Sequence, residues 1–241
     1  MISIAVLRAD SHEPFPPVEN ALAEPDGLLA AGGDLSPERL LDAYRHGIFP
    51  WFSAGDPILW WSPDPRTVFA TKDIHVSTRL RRWLRKSDWT LRADTAFAEV
   101  VSACAAPRAT QPTTWITPEM FDAYRRLHDL GFAHSIEVFD GDALVGGIYG
   151  VAVGRMFFGE SMFSHADNGS KVALIALCRM LDANGFPLLD AQVSSPHLMT
   201  MGAVDMSRSR FVDHVAAYAE KPGLPGHWSA LWPIGTARGL V

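Results

Sequence analysis

Cysteine is almost absent from this chain of 241 residues, which contains only Cys104 and Cys178. Two cysteines supply neither a disulfide framework nor a cysteine-rich metal site, so a reducing cytoplasm is the expected compartment. The sequence also lacks any apolar run of about 18 residues, the length that a membrane-spanning helix needs. Because no basic start followed by a long apolar stretch opens the chain, a signal peptide is not expected.

The sequence motifs of several enzyme classes are missing as well. There is no G-x-S-x-G, H-E-x-x-H, P-loop or dinucleotide-binding glycine motif, and no two of the nine histidines stand at helical metal-ligand spacing. The glycine-rich loop with which N-acetyltransferases bind acetyl-CoA pyrophosphate is also missing, because HADNGSKVAL has a single glycine at the matching place. A net charge of −6 argues mildly against a general nucleic-acid-binding protein.

The order of the elements that the sequence predicts is typical of an α/β (α+β) protein. Residues 1–66 are rich in turn residues around one helix capped by Ser36, and they should form a small, loop-rich N-terminal domain. Residues 67–241 continue with two short strands and three helices, the second of which should begin at Asp94. Three strands joined by tight turns follow, then a helix, a strand and a final helix. This order predicts a mixed, mainly antiparallel sheet in a GNAT-like layout, that of the N-acetyltransferase fold.

One stretch, GIFPWFSAGDPILWWSPDPR at residues 47–66, combines four prolines with three of the eight tryptophans. So many prolines argue against a helix and against a simple strand, and they predict a stiff apolar loop. Such a loop can present Trp51 to a ligand without a large loss of entropy on binding. It can also join two domains, which is the expected role of Trp60 and Trp61.

Polar residues interrupt two apolar strands further along the chain. Strand alternation places Glu160 on one face with Phe158 and Met162, and it places Asp190 and Gln192 together on one face. Buried carboxylates need partners, so a structural ion pair is one explanation. If the two strands are neighbours, these polar residues can instead line one acidic pocket for an amine or a guanidinium group.

A short basic segment, STRLRRWLRKS, predicts a helix with five cations within eight residues. Four of them fall along one side of that helix: Arg79, Arg82, Arg85 and Lys86. A solvated surface is one explanation for such a charge run, and binding of phosphate groups is the other.

Several longer blocks give the chain a specific resemblance. GGDLSPERLLDAYRHGIFPWF, WWSPDPR, FFGESMFS and LLDAQ resemble the leucyl/phenylalanyl-tRNA–protein transferases of bacteria, from about Phe15 to about Phe211. The resemblance implies a small N-terminal domain followed by an acyltransferase-like domain. The chain departs from the family pattern at Thr114, where glycine is usual, and at NGSK, which is usually NASK.

Members of this family move Leu or Phe, and less readily Met, from aminoacyl-tRNA to the N-terminal Arg or Lys of a protein, which marks the product for N-degron degradation. The resemblance therefore implies Leu-tRNA and Phe-tRNA as donors and proteins with N-terminal Arg or Lys as acceptors. It also implies that no metal and no bound cofactor is needed, because the charged tRNA is a co-substrate. A monomeric, cytoplasmic enzyme without membrane contact is expected.

The same resemblance implies three groups of site residues. The pocket for the donor's side chain should be formed by Trp51, Trp115, Phe158 and Met162. The reacting amine should be surrounded by Glu160, Asp190 and Gln192. The tRNA should contact the basic helix through Arg79, Arg82, Arg85 and Lys86.

For the reaction we expect direct aminolysis, in which the side-chain oxygen of Gln192 holds the amine and Asp190 polarises Gln192. Glu160 would orient the amine or the basic side chain of the acceptor. The sequence leaves open whether these groups move a proton or whether a ribose hydroxyl does. Two other functions also stay open, an acetyl-CoA-dependent N-acetyltransferase and a non-catalytic reader of peptides with N-terminal Arg or Lys.

Overall fold

Capping residues set where the main helices begin. The computed structural model describes residues 4–9, 11, 13–107, 114–224, 226–231 and 235–241. The helices in these ranges are α1 Pro37–Arg45, α2 Thr78–Leu84, α3 Phe97–Ala105, α4 Pro118–Asp129, α5 Gly169–Ala183, α6 Pro196–Thr200 and α7 Arg208–Tyr218. Ser36, Ser77 and Thr117 accept backbone hydrogen bonds as the N-caps of α1, α2 and α4.

The strands of the described ranges form two sheets. They are β1 Ala5–Leu7, β2 Leu28–Gly32, β3 Phe49–Pro50, β4 Leu59–Trp61, β5 Arg66–Ala70, β6 Thr90–Ala93, β7 Ala133–Asp140, β8 Ala143–Val153, β9 Met156–Ser164, β10 Leu188–Gln192, β11 Val204–Met206 and β12 Gly235–Thr236. Short 3₁₀ turns lie at Val18–Asn20, Thr71–Asp73, Trp228–Ala230 and Ala237–Leu240.

The larger sheet has the strand order β11–β5–β10–β9–β8–β7–β6–β12. Its neighbouring strands are antiparallel except β9 and β10, which run parallel. The smaller sheet has the order β1–β2–β4–β3, and its β1–β2 pair is parallel. The predicted α/β class with a mixed, mainly antiparallel sheet is confirmed. The two strands with the polar residues, β9 and β10, are neighbours.

Strand β9 contains a β-bulge at a predicted site residue. The register of β9 against β8 shifts between Gly159 and Ser161, which leaves Glu160 as the extra residue. An extra residue reverses the alternation of side chains beyond it. Phe158 accordingly packs in one hydrophobic cluster, whereas Met162 packs against the other. The prediction that Phe158, Glu160 and Met162 share one face is therefore wrong for Met162.

Two hydrophobic clusters form the core. One contains Tyr44 of α1, Tyr124 of α4 and Phe158 of β9, and the other contains most apolar side chains of α5. The first cluster joins residues before and after position 66 in one packed unit. The division of the chain into domains at residues 1–66 and 67–241 stays a prediction.

The predicted start of one helix is wrong. Asp94 was expected to open it, but α3 begins at Phe97. Asp94 has a φ of +54°, and its carboxylate accepts hydrogen bonds from the backbone N–H of Ser135 and from Nδ1 of His134, each at 2.8 Å. Because these partners lie on β7, the carboxylate is used for tertiary contacts and does not cap the helix.

The proline-rich stretch contains short strands where a loop was expected. Phe49–Pro50 pairs with Leu59–Trp61 at the edge of the smaller sheet, a position where proline is tolerated. The indole N–H of Trp60 donates to the carbonyl of Gly32 at 2.8 Å, and that of Trp61 donates to the carbonyl of Trp51 at 2.6 Å. Trp60 and Trp61 thus fix the stretch, and Trp51 stays at the surface with 44% exposure.

Candidate active site

A cavity of about 380 Å³ lies beside the bulges of β9 and β10. Its apolar wall includes Trp51, Trp115, Ile148, Met162, Leu174 and Leu198. Its polar groups include Glu160, Gln192 and the serines at positions 194 and 195. The structure therefore brings together five of the seven predicted pocket and amine-site residues, and Phe158 and Asp190 do not line the cavity.

Phe158 is a core residue. Its side chain is fully buried, and its ring lies 5.0 Å from the ring of Tyr44 and 6.5 Å from that of Phe211, measured between centroids. The prediction that Phe158 contacts the donor's side chain is corrected, because the bulge that follows it directs Met162 to the cavity instead. The ring of Phe158 packs against that of Tyr44.

Glu160 is held by three hydrogen-bond donors. Its Oε1 accepts from the hydroxyl of Tyr44 at 2.7 Å and from the side-chain nitrogen of Gln192 at 3.0 Å. Its Oε2 accepts from the hydroxyl of Tyr124 at 2.6 Å. Burial raises the pKa of Glu160 to about 7, although the two tyrosine hydrogen bonds act in the opposite direction. Near neutral pH the group therefore exists in both protonation states.

The tyrosines around Glu160 were not predicted. The hydroxyls of Tyr44 and Tyr124 lie 3.1 Å apart, and Tyr149 packs edge-on against Tyr124 with 5.3 Å between ring centroids. Burial, followed by the charge of Glu160, raises the pKa of all three well above the usual value, so each stays protonated and can donate. The sequence indicated these tyrosines only weakly. Three of the four tyrosines of the chain lie at apolar positions of α1, α4 and β8.

Gln192 lies at the second bulge. The register of β10 against β5 shifts between Asp190 and Gln192, and Gln192 has a φ of +63°, which is uncommon for any residue except glycine. Its side-chain nitrogen donates to Glu160. Its side-chain oxygen is therefore the acceptor that it can offer to a ligand N–H in the cavity.

Asp190 contacts Gln192 in a way that the sequence did not predict. Its side chain is fully buried, and its Oδ1 accepts from the backbone N–H of Gln192 at 2.9 Å. Both carboxylate oxygens also accept from Arg66, at 2.9 and 2.7 Å. The expected polarisation of the Gln192 side chain by Asp190 is thus corrected, because Asp190 fixes the backbone of Gln192.

Arg66 is the buried partner that sequence reasoning missed. Its guanidinium lies between two aromatic rings, 4.7 Å from the centroid of Phe49 and 4.6 Å from that of Phe211. It also donates to the carbonyl of Gly47 at 3.1 Å. Arg66 therefore connects the start of the proline-rich stretch with Asp190 on β10. The only indication of this role in the sequence is that a charged residue stands at the start of an apolar strand.

Replacing Glu160 with Gln should remove a pH dependence of stability. Burial raises the pKa of Glu160 from 4.5 to about 7, so its contribution to stability is present below about pH 4.5 and is lost as the pH rises through about 7. Between these values the free energy of unfolding of the natural chain should fall by on the order of 2–3 kcal/mol relative to Glu160→Gln. Urea unfolding at several pH values measures this difference.

The control for this measurement is Glu99→Gln, which makes the same substitution at an exposed position of α3. The stability of this variant should follow that of the natural chain across the pH range. If the free energy of unfolding of Glu160→Gln changes with pH as that of the natural chain does, the raised pKa of Glu160 is contradicted.

Comparison with known proteins shows the family of the chain. The family described as leucyl/phenylalanyl-tRNA protein transferase matches residues 68–216, and the N-terminal domain of that family matches residues 33–64. The chain belongs to the leucyl/phenylalanyl-tRNA protein transferase family.

Members of the family align with nearly the whole length of this transferase. It is 62% identical to the leucyl/phenylalanyl-tRNA–protein transferase of Xanthomonas campestris pv. campestris (strain 8004), over 93% of this chain and 90% of that one. It is 56% identical to the protein of the same name from Xylella fastidiosa (strain M23), over 98% of each chain. Among solved structures, L-PGS from Bacillus licheniformis is similar with a TM-score of 0.39 and 8% identity, over 69% of this chain and 53% of that one.

Family membership makes the transferase an enzyme that depends on aminoacyl-tRNA and acts on protein acceptors. The predicted enzyme class is confirmed. Within the described ranges, none of its helices combines the length and hydropathy that a bilayer crossing requires.

The cations of the basic helix of the transferase lie at its surface. All four predicted tRNA contacts on or just after α2 are exposed: Arg79, Arg82, Arg85 and Lys86. None of them forms an ion pair with another residue in the described part of the chain. Trp83 packs edge-on against Trp89 with 4.6 Å between ring centroids, so its ring contributes to the core. Binding of tRNA by these cations stays a prediction.

Proposed function

We propose that this enzyme transfers Leu or Phe, and less readily Met, from the corresponding charged tRNA to the N-terminal Arg or Lys of an acceptor protein. The observation that supports this most is one cavity with an apolar wall of Trp51, Trp115 and Met162 beside the polar pair Glu160 and Gln192. An apolar side chain and an amine can occupy such a cavity together. The product would enter N-degron degradation, and a monomer in the cytoplasm remains our prediction.

The apolar wall accounts for the proposed donors. Leu and Phe bury apolar surface against the two indoles, which favours them over charged or small donors. One methylene group changes binding by only about 1–3 kcal/mol, so Met should be accepted with lower efficiency.

The reaction is direct aminolysis of the aminoacyl ester. The α-amine nitrogen of the acceptor attacks the ester carbonyl carbon, a C–N bond forms, and the bond between that carbon and the ribose oxygen breaks. The proton lost by the amine goes to the departing ribose oxygen, which leaves as a hydroxyl of the tRNA. An α-amine has a pKa of about 8, so a useful neutral fraction exists near pH 7.

Positioning is the main contribution of the protein, because the ester is already activated. The side-chain oxygen of Gln192 accepts from the attacking amine, and Glu160 holds the Gln192 amide in that orientation through the 3.0 Å hydrogen bond. Glu160 is a poor general base here, since its two oxygens already accept from three donors. Asp190 and Arg66 act as positioning residues that fix the backbone at Gln192.

The deciding experiment is transfer of labelled leucine from Leu-tRNA to a short peptide that begins with Arg. The controls are a peptide that begins with Asp and free leucine in place of Leu-tRNA. Transfer that requires both Leu-tRNA and the Arg peptide supports the proposal. Binding of the Arg peptide without transfer would favour a non-catalytic reader, and acetylation of the peptide from acetyl-CoA would favour an N-acetyltransferase.

Trp51→Ala should lower kcat/KM for Leu-tRNA by about 10–100-fold, because the indole covers apolar donor surface worth about 1.5–3 kcal/mol. The free energy of unfolding should change little, since Trp51 is 44% exposed. Trp51→Phe keeps an aromatic wall and should retain most activity. Steady-state transfer with Leu-tRNA as the varied substrate measures the effect. A large loss of stability with unchanged kcat/KM would instead mean that Trp51 only joins the two domains.

The pair Arg82→Ala and Arg85→Ala should weaken tRNA binding and reduce its salt dependence by about two phosphate contacts. The slope of log K against log salt concentration should become shallower by about 1.4–1.8. The control pair Arg125→Ala and Arg126→Ala removes the same charge from exposed positions of α4 and should leave the slope unchanged. Filter binding at several salt concentrations measures both. An unchanged slope in the α2 variant would reject the assignment.

A further inference from the structure

We propose that Asp94, His128 and His227 bind a divalent metal ion of the zinc type. Each of the three side chains offers one ligand atom, and these atoms lie within 4.8 Å of one another. The three residues come from the turn before α3, the last turn of α4 and the segment before the 3₁₀ turn at Trp228–Ala230. None of them lines the cavity with Glu160, so this site is separate from the transfer reaction.

His128 has the arrangement of a metal ligand. Its Nδ1 lies 2.8 Å from the carbonyl oxygen of Ala133, so Nδ1–H donates there and Nε2 keeps a free lone pair. Metal-bound histidines usually donate their second N–H in this way, which fixes the tautomer and the ring orientation. The imidazole is also stacked parallel to the ring of Phe97, with 4.1 Å between centroids and an angle of 3°. The ring is therefore oriented before an ion arrives.

Asp94 is a fixed and charged oxygen ligand. Its carboxylate accepts from Ser135 N–H at 2.8 Å, from His134 Nδ1 at 2.8 Å and from Trp228 N–H at 2.7 Å. An ionised carboxylate has about four acceptor positions, so one remains for an ion. The neighbouring His134 is the kind of outer partner that ligating carboxylates have.

His227 supplies the second imidazole and lies on the side of the site that is open to solvent. It is exposed, and its ring centroid lies 4.6 Å from that of His128. Zinc–nitrogen bonds are about 2.0–2.1 Å long, so tetrahedral ligands stand closer together than 4.8 Å. Rotation of the exposed His227 side chain can close this difference. Two imidazoles, a carboxylate and a water molecule are a donor set that zinc accepts.

The ion would have a structural role. His227 precedes Trp228, whose ring is fully buried against the stacked ring of His134, 3.8 Å away. A metal bond at His227 would attach residues 226–231 to α4 and to the turn that follows β6. This is compatible with a transfer reaction that needs no metal, because the ion acts on stability alone.

The test uses full-length protein freed of metal by chelation and dialysis. Titration with ZnCl₂ in a calorimeter should give one ion per chain, and Co²⁺ should give the visible absorption of a tetrahedral site. His227→Ala should bind at least about ten-fold more weakly. Zinc at about one hundred times the Kd of the natural chain should raise the Tm of that chain by about 5–10 °C, and it should raise the Tm of His227→Ala by no more than about 3–6 °C.

The control is His46→Ala, which removes another exposed histidine, on the turn after α1. It should bind zinc and gain thermal stability as the natural chain does. His227→Ala changes an exposed side chain, and its circular dichroism without metal should match that of the natural chain. Absence of stoichiometric binding to the natural chain, or equal affinity in His227→Ala, would overturn the proposal.

Discussion

Gln192→Ala should slow the chemical step of transfer by about a hundred- to a thousand-fold, the loss typical when one positioned hydrogen-bonding group is removed from a transition state. The side-chain oxygen of Gln192 is the acceptor available to the attacking amine, because its nitrogen is occupied by Glu160 at 3.0 Å. Alanine removes this acceptor and leaves Glu160 with its two tyrosine donors. Single-turnover transfer from Leu-tRNA to an Arg peptide measures the rate.

The unusual backbone conformation at position 192 does not affect how the transfer rate of Gln192→Ala is interpreted. Gln192 has a φ of +63°, and alanine meets nearly the same steric cost there as glutamine, since both have a Cβ atom. Ser194→Ala is the matched control, because Ser194 lines the same cavity two residues further on. It should transfer at close to the natural rate.

Peptide affinity separates the two possible roles of Gln192. If it acts in the transition state, the rate falls while binding of the Arg peptide stays nearly unchanged. If Gln192→Ala loses peptide affinity and keeps its single-turnover rate at saturating peptide, Gln192 only binds the ground state and our assignment is wrong.

Arg66→Met should destabilise the protein by about 3–5 kcal/mol, because it leaves the carboxylate of Asp190 buried without its charge partner. Both side chains are fully buried and share two hydrogen bonds, so water cannot replace the guanidinium. Urea unfolding measures the loss. Arg39→Met is the control: Arg39 is also buried and paired, but Asp34 is 30% exposed and can be hydrated. Its destabilisation should be smaller, with transfer unchanged.

The double variant Arg66→Met and Asp190→Leu separates stability from positioning. Replacing a buried ion pair with apolar residues of similar volume is often nearly neutral, so stability should return to within about 1–2 kcal/mol of the natural chain. Transfer should stay at least about ten-fold slower, because the backbone N–H of Gln192 has lost its acceptor on Asp190. A double variant with natural stability and the natural transfer rate would show that the pair does not position Gln192.

Local sequence patterns were sufficient for most elements and for part of the site. The cap Ser36 acts where the sequence predicts it, since an N-cap hydrogen bond joins residues only three positions apart. The sequence left the adjacency of β9 and β10 as a condition, and the structure meets it and places Glu160 near Gln192. Trp51, Trp115 and Met162 reach the cavity as expected.

The sequence predictions were wrong where a β-bulge or a hydrogen-bond partner far along the chain determined the position of a side chain. The bulge at Glu160 separates Phe158 in the core from Met162 at the cavity, and its one indication in GESMF is Gly159, since a glycine inside a strand often marks a bulge. Asp94 was expected to cap a helix, but two of its partners lie on β7, about forty positions further along the chain, and the third is the backbone N–H of Trp228.

The amino-acid sequence by itself determined the α/β class and the order of the elements, because these depend on composition, spacing and local hydrogen bonds, and its motif blocks carried the resemblance that implied the family and the pocket residues. Only the tertiary structure decided how the polar groups are paired. Arg66 meets Asp190 across 124 positions, and Tyr44 meets Glu160 across 116. Such pairs carry no periodic signal, and they form because a buried charge or hydroxyl must find a partner once the sheet and helices have excluded water.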